Sequence, residues 1–180
     1  MKSYVCFAPK RVKPFAFYSV LYPEVLSNMD TPLDRFINAH ENYFAAALSE
    51  IRSGKKRTHW MWFIFPQLSA LGSSPTSKHY GITDLEEAYQ FLHHAVLGKN
   101  LVKVSSALYE LNNKTAEDIF GYPDYLKLRS SMTLFSLVRN TSPIFAQIIS
   151  KYFDNKPDPI TWRMLGGKRM DTDGEEKSHQ

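Results

Sequence analysis

Cysteine is almost missing from this chain: Cys6 is the single one in 180 residues. An internal disulfide framework is excluded, and so is a zinc site built on paired thiolates. The six histidines are His40, His59, His79, His93, His94 and His179, and no two stand four residues apart. The His-Glu-x-x-His metal signature is therefore absent. His93 and His94 are adjacent, so on a helix they point in different directions. We expect no metal site and no cofactor. No apolar run approaches the roughly 20 residues that span a bilayer. The Gly-x-x-x-x-Gly-Lys phosphate loop is also absent. With no secretory signal and one cysteine, the expected compartment is the cytoplasm.

Acidic residues are missing from one region, since none precedes Glu24. Residues 1–28 are basic, aromatic and interrupted by Pro9, Pro14 and Pro23. The prolines spoil the amphipathic helix of a transit peptide. An ill-ordered N-terminal extension is the plainer expectation, with Met29 as a candidate start. The net charge of +4 owes much to Lys2, Lys10, Arg11 and Lys13 in that segment. The remainder is closer to neutral, and no nucleic-acid motif accompanies the charge, so nucleic acid is not the expected partner.

What the chain does have is hydrophobic content, 43%, and helical spacing. At 180 residues it can bury a substantial core. Thr31-Pro32-Leu33-Asp34 carries a helix start. Leu33, Phe36, Ile37, Phe44, Ala47, Leu48 and Ile51 then form one stripe, and Gly54 ends it. His40 falls near the middle of the stripe, which predicts a buried histidine; a core residue satisfied by one hydrogen bond is the first expectation and a ligand-facing role the second. Thr83-Asp84-Leu85-Glu86 reads as a capping box for a helix to about His94. Another helix runs from Leu97 to about Asn112, with Gly98 as a breaker near its start. Thr115-Ala116-Glu117-Asp118 opens a short turn that stops at Gly121. A helix from about Tyr125 to Arg139 is apolar on all sides, the mark of a buried helix. Ser142-Pro143 and Asp158-Pro159 start two more. We expect an all-α, single-domain orthogonal bundle of about six to seven helices, with a buried central helix near 124–139. The helical domain is expected over 29–166, followed by a flexible polar tail, 167–180.

The most concentrated stretch is Thr58-His59-Trp60-Met61-Trp62-Phe63-Ile64-Phe65-Pro66-Gln67. It is too aromatic for a surface loop. Its periodicity fits either strand or short helix, and we favour a turn or short helix feeding a buried loop. Lys55-Lys56-Arg57 precedes it, and a three-residue basic run usually means a solvated turn. The segment from Leu68 to Tyr80 is small and polar and reads as a loop.

These motifs resemble a family. Asp34-Arg35-Phe36, Lys56, the His59-to-Gln67 stretch, Gly72-Ser73-Ser74, Tyr80, Asp118-Ile119-Phe120-Gly121 and Lys127-Leu128-Arg129-Ser130-Ser131-Met132-Thr133-Leu134-Phe135 carry the likeness. Together they are similar to a widespread, mostly bacterial family catalogued as a domain of unknown function. The likeness covers roughly Leu33 to Phe153. The family's structurally known mycobacterial member is mainly helical, which implies the same class here. Some members are labelled calpastatin, but nothing in this chain resembles a disordered calpain inhibitor. The family usually has glutamine where this chain has His40. The resemblance implies no settled activity.

The residues themselves suggest a small-molecule site between the aromatic stretch and the buried basic helix. His59 is the motif's acid–base group at neutral pH. Asp118, Asp124 or Glu50 could orient it, and we take His59 with Asp124 as the catalytic candidates. Lys127 and Arg129 could hold phosphate or carboxylate. Trp60, Trp62 or Tyr80 could stack on a base or sugar. Gln67, Ser74 and Ser130 could add hydrogen bonds. The set suits a binder or hydrolase of a phosphorylated nucleotide- or ADP-ribose-like molecule. A looser likeness to helical families that cleave N-glycosidic bonds of NAD and ADP-ribose points the same way, as fold-level analogy. Two alternatives compete. The aromatic stretch could be an exposed patch of a non-catalytic interaction module. Or the same residues could be scaffold, with the tryptophans in the core and Arg129 in a structural pair.

Overall fold

The computed structural model describes residues 31–167. The N-terminal extension proposed over 1–28, and the tail beyond Gly167, lie outside the described residues. Among the described residues, those from Leu33 to Gly167 form one unit. Its elements in order are α1 (Asp34–Arg52), α2 (Met61–Ile64), a 3-10 turn (Ser69–Leu71), α3 (Pro75–His79), α4 (Leu85–His93), α5 (Leu97–Glu110), α6 (Ala116–Phe120), α7 (Asp124–Ser136), α8 (Ile144–Phe153) and α9 (Pro159–Met164). Among the described residues there is no strand, and one parallel bridge joins Leu68 to Ile82. The class is all-α, as the spacing predicts.

The helix ends follow local chemistry, with shifts from the sequence reading. The N-cap position of α1 falls on Leu33 rather than Thr31. Gly54, with φ +69°, turns the chain after α1. The box expected at Thr83 is replaced by a one-way cap one residue later, on Asp84. Asp84 Oδ1 accepts from the Glu87 amide at 2.9 Å. Glu87 in turn accepts from the amide and hydroxyl of Thr83, both at 2.7 Å, and from Arg35 at 2.6 Å. The Thr115–Asp118 capping box is present with both bonds, and Asp158 caps α9 through the Thr161 amide at 2.8 Å. The expected loop between Leu68 and Tyr80 holds the 3-10 turn and α3. Ser74 caps that helix and Pro75 takes its first position.

α7 is the central element, packed by α4, α6, α8 and α9. Leu128, Met132, Leu134 and Phe135 are fully buried on it, and the Phe135 ring meets those of Phe91 and Phe145 at 5.5 and 5.7 Å. Each such side chain contributes about 1.5–3 kcal/mol through removal from water. The all-round burial predicted here holds from Ser130 to Phe135, and Leu128 is buried as well, while Arg129 is half-buried and Leu126 in the first turn is exposed. The helix ends at Ser136, earlier than predicted. The Thr141 hydroxyl takes the Phe135 carbonyl at 2.6 Å and draws the chain into a turn, yet Leu137 and Val138 stay buried.

His40 is buried on α1, where the stripe places it. Its Nε2 lies 2.8 Å from the Phe63 carbonyl oxygen and its Nδ1 lies 3.2 Å from the Asn100 amide nitrogen. A carbonyl only accepts, so Nε2 carries the proton and Nδ1 accepts from Asn100. The neutral ring is thus satisfied twice. Burial lowers its pKa below the ordinary 6.5; the bond to Phe63 opposes this, and the nearby His94 adds to it. The folded protein then binds fewer protons than the unfolded chain as pH falls. Stability from this group is complete above 6.5 and drains below it. His40→Gln can donate to the same carbonyl without titrating. Denaturant melts between about pH 8 and 5 should show a flatter acid limb for that variant. An unchanged acid limb would mean that His40 does not govern it.

Candidate functional site

The site begins at the C-terminal end of α1. Glu50 there accepts four hydrogen bonds from the segment that follows Gly54. The donors are the Arg57 amide (2.6 Å), the Thr58 amide (3.1 Å), the Thr58 hydroxyl (2.7 Å) and the Trp60 indole N–H (2.9 Å). Burial pushes the Glu50 carboxyl up, but the Arg57, Thr58 and Trp60 donors outweigh it, and the pKa lies below the usual value. On the other side the Lys56 amide donates to Ile119 O at 2.7 Å, and the Lys55 ammonium to Asp118 O at 2.9 Å. Residues 55–60 are therefore a strap fixed between α1 and α6. This strap delivers the aromatic stretch.

Most of the stretch is core. Trp60, Met61 and Ile64 are fully buried, and Phe63 and Phe65 nearly so. The short helix α2 makes this possible: four residues of helix send Met61, Phe63 and Ile64 inward and leave Trp62 half-buried at the surface. His59 is exposed, with its ring 6.5 Å from that of Trp62.

Beside Trp62 lies a charge cluster. Asp124, the first residue of α7, bridges two ammonium groups with its two oxygens. Oδ2 lies 2.7 Å from Lys56 Nζ, and Oδ1 lies 2.7 Å from Lys127 Nζ. All three side chains are largely covered, at 8% exposure for Lys56, 17% for Asp124 and 22% for Lys127. The Lys127 ammonium lies 4.8 Å from the Trp62 ring centre and the Lys56 ammonium 5.3 Å from that of Trp60. Burial raises the Asp124 carboxyl, but the Lys127 and Lys56 hydrogen bonds and charges prevail and hold it below its usual value. Asp124 is therefore a fixed negative charge and no proton donor at neutral pH.

Of the residues singled out in the sequence, His59, Trp60, Trp62, Asp124 and Lys127 are joined through this chain of contacts. The others make their contacts elsewhere. Arg129 stands two residues beyond Lys127, about 200° around the helix. Its guanidinium donates to the Lys156 and Pro157 carbonyls at 2.9 and 3.2 Å, a structural tie to the segment before α9. Ser130 is buried and donates to Leu126 O in its own helix at 3.2 Å. Ser74 caps α3. The Tyr80 ring packs on those of Phe63 at 5.1 Å and Phe36 at 6.0 Å. Gln67 is half-buried, and its backbone carbonyl takes the Ile82 amide at 2.9 Å.

Lys56 is the member of the charge cluster that a reading of the basic run as a solvated turn misses. The sequence holds a hint of its direction but none of its partner. Lys56 is the middle of three cations, so it faces away from Lys55 and Arg57 in any extended strap. A depression lined by Leu92, Gly98, Lys99, Asn100, Val102 and Lys103 lies apart from these residues and contains none of the candidates.

The comparisons agree with this architecture. The crystal structure of the conserved hypothetical protein Rv1873 from Mycobacterium tuberculosis is similar, with a TM-score of 0.73 and 42% sequence identity. The match covers 74% of this chain and 96% of that one. No curated protein matches the chain. Residues 30–165 match the family described as a protein of unknown function, DUF1810. The chain belongs to that family.

Proposed function

We propose that the face formed by Lys56, Trp62, Asp124 and Lys127, with His59 at its rim, binds a phosphorylated small molecule that carries an aromatic ring, in the class of nucleotides and ADP-ribose. One observation carries this reading: two largely covered lysines share one carboxylate beside a half-buried tryptophan. Two ammonium groups and one carboxylate leave one net positive charge on largely covered side chains, where an anion is favoured. The Trp62 ring offers a face for a base, and Lys127 already sits against that ring. If the ligand is hydrolysed, His59 is the group for proton transfer, and Asp124 contributes position and charge. Burial of Trp60, Met61, Phe63, Ile64 and Phe65 speaks for this reading over a docking patch built from the whole stretch.

The test is a thermal-shift screen of the full chain against nucleotides, ADP-ribose and sugar phosphates. A ligand at 100 times its Kd adds about 2.7 kcal/mol. At about 2–4 °C per kcal/mol for a protein of this size, the midpoint should rise by several degrees. Lys127→Ala and Trp62→Ala are expected to fold and to abolish the shift. No shift with any compound, or full shifts in both variants, would overturn the proposal.

A further inference from the structure

Asp124 has an unusual position for a residue of an anion site. Its two oxygens occupy both ammonium groups, Lys56 and Lys127, each at 2.7 Å. Each ammonium keeps N–H donors that Asp124 does not use, but any anion that engages both lysines must compete with this carboxylate for their charge. Resting on the reading above, we propose that Asp124 is a built-in rival anion, and that it restricts the site to doubly charged terminal phosphate groups and against singly charged carboxylates, sulfates and phosphodiesters.

The argument is one of exchange. A singly charged group offers the two lysines no more than Asp124 already supplies, so replacing the carboxylate gains little. A phosphomonoester carries about −1.5 to −2 charges at neutral pH and three acceptor oxygens. It can meet both ammonium groups and exceed the carboxylate in charge. A displaced Asp124 is not stranded. As the first residue of α7, a helix of 13 residues, it keeps the favourable field of the helix N-terminus. A backbone phosphodiester, with one charge per phosphate, is on the disfavoured side. The two cations are thus tuned away from nucleic-acid strands and, within the class proposed above, toward nucleotides with a free terminal phosphate rather than ADP-ribose, whose two linked phosphates carry one charge each.

Three probes with one base and sugar separate the possibilities: AMP, its singly charged isostere adenosine 5′-sulfate, and the diester 3′,5′-cyclic AMP. Each is titrated calorimetrically into the full chain and into Asp124→Asn, which removes the charge and keeps the shape. In the wild-type protein AMP should bind about tenfold or more tighter than either other probe, a ratio within reach of one unit charge near a protein surface. In Asp124→Asn all three should tighten by about tenfold, so that the two singly charged probes come into measurable range. Equal wild-type affinity for AMP and the sulfate would overturn the inference, and this comparison needs no variant to fold. So would AMP binding that is unchanged or weaker in a folded Asp124→Asn, which would make Asp124 a positioning residue. In both of those cases the nucleotide-site reading survives. Failure of all three probes with both proteins would defeat that reading and this inference together.

Discussion

Trp60→Ala should destabilise the protein by about 3–5 kcal/mol, the range for truncating a fully buried large aromatic residue. We expect the upper end, because four neighbours lose something at once. The Glu50 carboxylate loses the indole N–H at 2.9 Å. The Lys56 ammonium loses the ring it rests against. The Phe65 and Phe120 rings, 6.2 Å away from it by centroid, lose a packing face. At about 2–4 °C per kcal/mol the melting midpoint should fall by about 10 °C or more. Trp60→Phe separates the contributions. It keeps most of the ring volume and removes the N–H, and should cost about 1–2 kcal/mol. Thermal melts of the two variants check this. An alanine variant within about 1 kcal/mol of wild type would show that Trp60 is not core.

Gly98→Ala should also destabilise, although helix propensity says the reverse. Gly98 lies in the first turn of α5, where alanine is the better helix former by about 0.8–1.0 kcal/mol. A Cβ added there would stand 1.8 Å from the Leu92 carbonyl oxygen and 2.7 Å from its carbon. The obstacle is backbone near the end of α4, so no rotamer change relieves it. The α4–α5 junction must open instead. The net loss should be about 2–3 kcal/mol, in the range of overpacked cores. Chemical denaturation measures it directly, and a stabilised variant would contradict the close approach of the two helices.

These two positions also show what a sequence discloses. Trp60 is legible, because a stretch apolar on both faces has to be buried. Gly98 is only half legible. A glycine near a helix start reads as a breaker, and its real reason, a carbonyl from another helix, is a tertiary fact. The same divide runs through the helices. The burial of His40 and the all-round burial of Ser130–Phe135 follow from a 3.6-residue period. α3 was hidden by composition, since Gly72, Ser73, Ser74 and Pro75 read as a loop although Ser74-Pro75 is also a helix start. At the site, the sequence nominates Lys127 and Arg129 equally. Their fates differ because a helix turns about 200° in two residues, and only the three-dimensional neighbours say which direction meets Asp124 and which meets the Lys156 carbonyl. The Lys56–Asp124 pair spans 68 positions of sequence, and no local pattern announces it.

Glu50 and its four hydrogen bonds have a bearing on how a ligand would be met. The strap from Lys55 to Trp60 looks like a loop, but it is held at both ends through backbone groups. Its freedom is surrendered during folding, before any ligand arrives. Recognition at the proposed face of Trp62 and Lys56 would then be preorganised: little further ordering of the chain would accompany binding, and less of the interaction energy would be lost to it. Such a surface should change little in backbone conformation between its empty and occupied states.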